Sequence, residues 1–170
     1  MTGPGGGDGE ASSSAQKRRR RPEPSATQRA IGLLTRREHS RRELARKLVV
    51  RGVEALDAQV VIDKLAAAGW QDDTRFAESL VRSRAAGGYG PAYIRAELGT
   101  HALPSEVIAA ALESFEGDWA ENAWALVSRR FPEVRAGDRD VRRKALDFLL
   151  RRGFAMEHAR AASQPVGLES

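Results

Sequence analysis

Apolar residues recur three and four positions apart from about residue 27 to residue 162, and no stretch alternates as a strand would. Helical signals begin near Ser25–Thr27, with a first stripe of Ala30, Ile31, Leu33 and Leu34. Ser40-Arg41-Arg42-Glu43 has the spacing of a capping box ahead of Leu44 and Leu48, and Gly52 closes that helix. Asp57 is placed to cap a third helix running to Gly69. The next nine residues, Gly69-Trp70-Gln71-Asp72-Asp73-Thr74-Arg75-Phe76-Ala77, end one helix and start another. Glycine takes the left-handed conformation past a helix end, and a carboxylate at Asp72 or Asp73 accepts hydrogen bonds from the free amides of the new one. Phe76 and Leu80 then share a face. Trp70 reads as an apolar pin that fixes the angle between the two helices.

The fourth helix runs out at Gly87-Gly88. Pro91 opens a fifth carrying Ile94 and Leu98, and Pro104 a sixth carrying Val107, Ile108, Ala111 and Leu112. Asp118 caps a seventh with Ala123, Leu126 and Val127, stopped before Pro132; Asp138 or Asp140 opens an eighth with Ala145, Leu146, Leu149 and Leu150, ended by Gly153; Met156–Ala162 forms a ninth.

Nine helices resolve into three groups of three. Leu48, Leu98 and Leu149 recur at offsets of 50 and 51, and at the same offsets Leu44 meets Ile94 and Ala145, Gly52 meets Ala102 and Gly153, and Val53 meets Leu103 and Phe154. The expected fold is all-α: three tandem three-helix repeats, of about 45–50 residues each, stacked as a short, curved solenoid. The expected divisions are a disordered tail over 1–26, repeats over 27–73, 74–116 and 117–162, and a C-terminal tail over 163–170. A unit this small is expected to need its neighbours to cover its apolar face.

The chain has 170 residues, no cysteine and a net charge of +5. Without cysteine there are no disulfides, no thiolate chemistry and no Cys-ligated zinc, which fits a reducing compartment. No run approaches a membrane span and the N-terminus lacks the apolar centre of a signal peptide, so the expectation is a soluble, cytoplasmic monomer. The charge is uneven. The segment 74–116 carries four Lys/Arg against five Asp/Glu, whereas 27–73 has nine against seven and 117–162 ten against seven. The tail holds Lys17-Arg18-Arg19-Arg20-Arg21, a run that either neutralises phosphates or serves as a solvated basic segment.

Catalytic and metal chemistry find no constellation. His39, His101 and His158 fall in different repeats and read as surface or helix-end residues. Asp72 and Asp73 have no third ligand on the following turn, and the glycines of Gly87-Gly88-Tyr89-Gly90-Pro91 lack the Lys-Ser/Thr of a phosphate loop. No enzyme activity, metal or cofactor is expected. The positive signal is arginine placement. Arg42 and Arg46 project opposite Leu44, with Arg41 and Lys47 beside them; an offset of 101 brings Arg142 and Arg143 onto Arg41 and Arg42, and Arg152 onto Arg51. A cation before a helix C-terminus, such as Arg51 or Arg152, is favoured by the helix dipole, but cations near a helix start are not. For those at positions 41, 42, 142 and 143 an anionic partner is the better explanation.

Four motifs in order resemble the RecX family: Arg36-Arg37-Glu38-His39-Ser40 with Glu43-Leu44 and Lys47-Leu48; Gly69-Trp70 with Asp72-Asp73 and Arg75-Phe76-Ala77; Gly88-Tyr89-Gly90-Pro91 with Ile94 and Glu97-Leu98; and Phe148-Leu149-Leu150-Arg151-Arg152-Gly153-Phe154. The resemblance covers about residues 27–162. Gln71 departs from it where an aliphatic residue is usual, and Gly87-Gly88 stands where a basic residue is common. What the resemblance implies is a regulator that lies in the groove of the RecA recombinase filament and limits its growth, strand exchange, ATP hydrolysis and coprotease activity, touching DNA phosphate within the filament if DNA is touched at all. The other class of function is a helical module that binds DNA directly. Base readout favours Asn and Gln, and the only Asn is Asn122.

Overall fold

The computed structural model describes residues 22–164 and builds them from nine α-helices with no strand. In order they are α1 (Ala26–Leu34), α2 (Arg41–Val50), α3 (Ala55–Ala67), α4 (Asp73–Ala86), α5 (Pro91–Gly99), α6 (Ser105–Glu113), α7 (Trp119–Arg130), α8 (Arg139–Arg151) and α9 (Met156–Ala162). A 3-10 turn, Pro132–Ala136, which the apolar pattern does not announce, bridges α7 and α8. The expected disordered tail, with its arginine run, lies outside the described residues as far as Arg21, as does the C-terminal tail beyond Gln164. None of the helices is long and apolar enough to cross a membrane.

Caps explain most helix starts, though not always the residues the spacing suggests. The complete capping box is at α1, where the Gln28 amide donates to the Ser25 hydroxyl (3.2 Å) and the Ser25 amide donates to the Gln28 side chain (2.9 Å). At α2 only half of the expected box forms: the Glu43 amide donates to the Ser40 hydroxyl (3.1 Å), but the Glu43 carboxylate turns elsewhere. Asp57 is not a cap, because α3 already begins at Ala55 after Glu54; it sits in the first turn, where the helix dipole still favours its charge. Of the aspartate pair, Asp72 caps α4, accepting from the amides of Thr74 and Arg75. Asp118 and Asp138 cap α7 and α8.

The repeat register reappears in burial. Leu44, Ile94 and Ala145 are fully buried, as are Leu48, Leu98 and Leu149 one turn later. Immediately after these helices the chain turns through left-handed backbone at Gly52, Ala102 and Gly153 (φ +83°, +57° and +84°). Ala102 is the one residue other than glycine to do so among those described, at a cost glycine avoids. Ala102→Gly is therefore expected to raise stability by about 0.5–1 kcal/mol, seen as a higher urea midpoint with an unchanged slope.

The expectation that each unit borrows its core from its neighbours is not met. Three distinct apolar clusters form, one inside α1–α3 around Leu44, Leu48 and Ile62, one inside α4–α6 around Phe76, Ile94 and Leu98, and one inside α7–α9 around Val127, Leu149 and Phe154. Trp119 packs against both the second and the third. Trp70 belongs to none of the clusters and is 49% exposed, so it is not the buried pin that its place between two helices suggested. The angle there is held instead by Arg75, which donates to the carbonyls of Gly69 and Trp70 (both 3.1 Å). Trp70→Ala is expected to cost about 1–2 kcal/mol in chemical denaturation, well short of the 3–5 of a fully buried tryptophan.

Candidate functional site

Two junctions join the three cores, and they are built from different materials. Between the first and second units the contacts are side chains. Asp73, the first residue of α4, is not a cap of its own helix; its carboxylate accepts from the backbone amide of Arg41 (2.9 Å), the first residue of α2, and from the Gln71 side chain (2.9 Å). Gln71 is 3% exposed and also donates to the His39 carbonyl (3.2 Å), a job an aliphatic residue could not do. Arg75 reaches back to Glu38 (2.9 Å), a bond that holds its guanidinium pKa above the usual value.

Beneath these lies a buried polar cluster. The Ser40 hydroxyl, which accepts from the Glu43 amide, can donate to His101 Nδ1 (2.7 Å). His39, expected at the surface, is 2% exposed; its Nδ1–H donates to the Arg37 carbonyl (2.9 Å) and its Nε2 accepts from Lys47 (3.0 Å), an arrangement that requires the neutral ring. Burial, with the positive charge of Arg37, lowers the pKa of both histidines below 6.5. Burial also pushes the Glu43 carboxyl up, but hydrogen bonds from Arg37 (3.1 and 2.5 Å) and Lys47 (2.9 Å) outweigh it and bring the pKa to about 2. None of this was visible in apolar spacing; the signal that could have found it is the density of polar residues over 37–43 in a stretch that must be partly buried.

Between the second and third units, side-chain packing through Trp119 is joined by direct main-chain hydrogen bonds. The Gly90 amide donates to the Arg152 carbonyl (2.8 Å) and the Ala92 amide to the Gly153 carbonyl (3.0 Å). The backbones approach so closely that a Cβ on Gly90 would overlap the Gly153 carbonyl, and one on Gly153 would overlap the Tyr93 amide. Arg152 closes the seam, its guanidinium stacked 4.6 Å over Tyr89 and donating to the Gly87 carbonyl (3.3 Å).

Against this frame the sequence-predicted basic residues separate into two kinds. Arg41 is paired with Asp63, Lys47 with Glu43, Arg142 donates to the Ser163 carbonyl (3.1 Å), and Arg152 is locked in the seam. Their charge is spent within the fold, wholly or in part. Arg42 and Arg46 are exposed on α2 with no ion-pair partner among the described residues, and Arg143 is 73% exposed with only a long contact, 3.6 Å, to an equally exposed Asp140. Arg42 and Arg46 share one face of α2, at the mouth of a cleft that Glu43 also lines and that Thr100 and His101 of the second unit complete. Of the junction residues, Gly69, Asp72, Asp73 and Phe76 serve the fold, while the Trp70 ring is half open to solvent beside them.

Comparison with known proteins agrees with this division into three. Family models for the first, second and third three-helix domains of RecX match residues 26–65, 72–112 and 116–162. The chain is 59% identical over 142 residues to the regulatory protein RecX of Xanthomonas axonopodis pv. citri (strain 306), covering 84% of this chain and 88% of that one. It is 60% identical over 142 residues to the regulatory protein RecX of Stenotrophomonas maltophilia (strain K279a), covering 84% and 87%. The fold resembles the crystal structure of RecX from Lactobacillus salivarius, with a TM-score of 0.66 at 21% identity over 81% of this chain and 91% of that one. A second crystal structure of a regulatory protein RecX gives a TM-score of 0.65 at 24% identity over 78% and 67%.

Proposed function

We propose a function from one premise: this chain belongs to the RecX family of regulatory proteins. It binds the RecA filament along its helical groove, touches successive protomers, and inhibits recombinase, ATPase and coprotease activity without itself catalysing a reaction. The observation that supports this reading is the pair Arg42 and Arg46. Both stand outward on α2, Arg42 in its first turn and Arg46 one turn further on, while the helix's other cations, Arg41 and Lys47, are paired within the fold. At Arg42 the helix dipole opposes the charge, and at both positions an anionic surface opposite would compensate it. Three units with separate cores and hydrogen-bonded seams suit a partner that repeats.

Reversing both residues (Arg42→Glu with Arg46→Glu) removes attraction and adds repulsion. The double variant should need at least about tenfold more protein for half-inhibition of DNA-dependent RecA ATPase, while its denaturation midpoint stays within about 0.5 kcal/mol of wild type. Arg143→Glu tests the third unit; Arg142 is the poorer choice because it also holds Ser163. A duplex-binding assay across a salt series completes the test. Inhibition that persists where bare-duplex binding has been lost supports the filament groove. Inhibition that falls in step with duplex affinity means that the protein competes for DNA, and the reading fails.

A further inference from the structure

Arginines also converge on one cleft of the third unit, where only Arg143 is shared with the regulatory reading. Arg139, Arg142, Arg143 and Leu146 on α8 face Arg160 and Ser163 at the end of α9 across a cleft of about 440 Å³, and no carboxylate lines it. Arg139 and Arg160 have no ion-pair partner among the described residues. The Arg143–Asp140 contact is long and solvent-screened, and contributes little. Arg142 is half-buried and held in place through its Nε bond to the Ser163 carbonyl, which leaves the two Nη groups of its fork available.

Four guanidiniums repel one another in the free protein, and three of them sit in the first turn and a half of α8, where the dipole adds to the cost. We propose that this cleft is a binding site for a compact oligophosphate: inorganic tripolyphosphate, or the phosphate tail of a nucleoside polyphosphate. Three features choose that class. Arginine forks match phosphoryl oxygens two at a time. The charge is concentrated in one small volume, whereas a nucleic-acid strand carries its charges one per nucleotide along its length. The lining has no aromatic ring, so a base would find nothing to stack on and the phosphates alone are recognised.

The test uses the full chain without RecA, so it stands apart from the filament reading. Isothermal titration with inorganic tripolyphosphate at moderate salt should show one saturable site. Arg139→Gln with Arg160→Gln should weaken it at least tenfold. Arg82→Gln with Arg95→Gln, the same charge change at exposed sites on α4 and α5, should weaken it less than twofold. Without ligand, the cleft double variant should melt at or slightly above the wild-type temperature, since repulsion is relieved. Equal loss in both double variants, no saturable binding, a clearly lower melting point for the cleft variant, or preference for a single-stranded oligonucleotide over tripolyphosphate at equal phosphate concentration would each overturn the proposal.

Discussion

Gly153→Ala is expected to be among the most damaging single-methyl changes in this protein, at about 4 kcal/mol or more. Two effects add at that position, and two other glycines separate them. Gly52 occupies the equivalent turn in the first unit at the same φ, but a Cβ there would meet nothing within 4 Å. Gly52→Ala should therefore cost only the left-handed backbone penalty, about 1–2 kcal/mol. Gly90 has ordinary negative φ (−89°) but faces the Gly153 carbonyl, so Gly90→Ala reports the close approach without the backbone penalty, at about 2–3 kcal/mol. Equilibrium denaturation of the three variants should give a Gly153 value near the sum of the other two. A Gly153 cost no larger than that of Gly52 would mean that the seam yields freely and that the second and third units are not fastened there.

Acid should loosen the other junction first. Glu43 has a folded pKa of about 2 against 4.5 when unperturbed, so its contribution is fully present above pH 4.5 and is lost as pH falls towards 2. At 1.36 kcal/mol per pKa unit that is up to about 3 kcal/mol, reduced by the solvent exposure of its partner Arg37. His39 and His101 act in the same direction and at higher pH. Both are held neutral when folded, so stability falls as pH drops below 6.5, where the unfolded chain begins to bind those protons. Glu43→Gln keeps the shape and removes the charge. It should cost about 2–4 kcal/mol at pH 7 and flatten the pH dependence between 4.5 and 2. A variant whose stability falls with acid as steeply as wild type would show that other carboxylates dominate.

The nine helices, their order and their grouping into three were legible because apolar spacing reports burial within a unit, and glycine and proline mark its ends. What spacing cannot report is how units meet. Ser40 and His101 are 61 residues apart and both polar; Gly90 and Gly153 meet through backbone that any sequence possesses. Trp70 misled because a large aromatic between two helices suggests burial, whereas its neighbour Arg75 does the bracing through polar bonds. The choice between Asp72 and Asp73 turned on a single residue of helix phase, beneath the resolution of pattern reading. The arginines were found by position, but their roles were decided by partners elsewhere in the chain: Asp63 for Arg41, Ser163 for Arg142, Tyr89 for Arg152.

The contrast between a side-chain seam and a main-chain seam has a consequence for amide protons. Around Ser40, Asp73 and Gln71, the bonds between units can break singly without unfolding a helix, and amides such as that of Arg41 become open to solvent when they do. The amides of Gly90 and Ala92 are released only when two backbones separate together. Deuterium should therefore enter the α2 N-terminus through a low-energy, acid-promoted opening, while the amides of Gly90 and Ala92 exchange in concert, at a free energy closer to that of global unfolding.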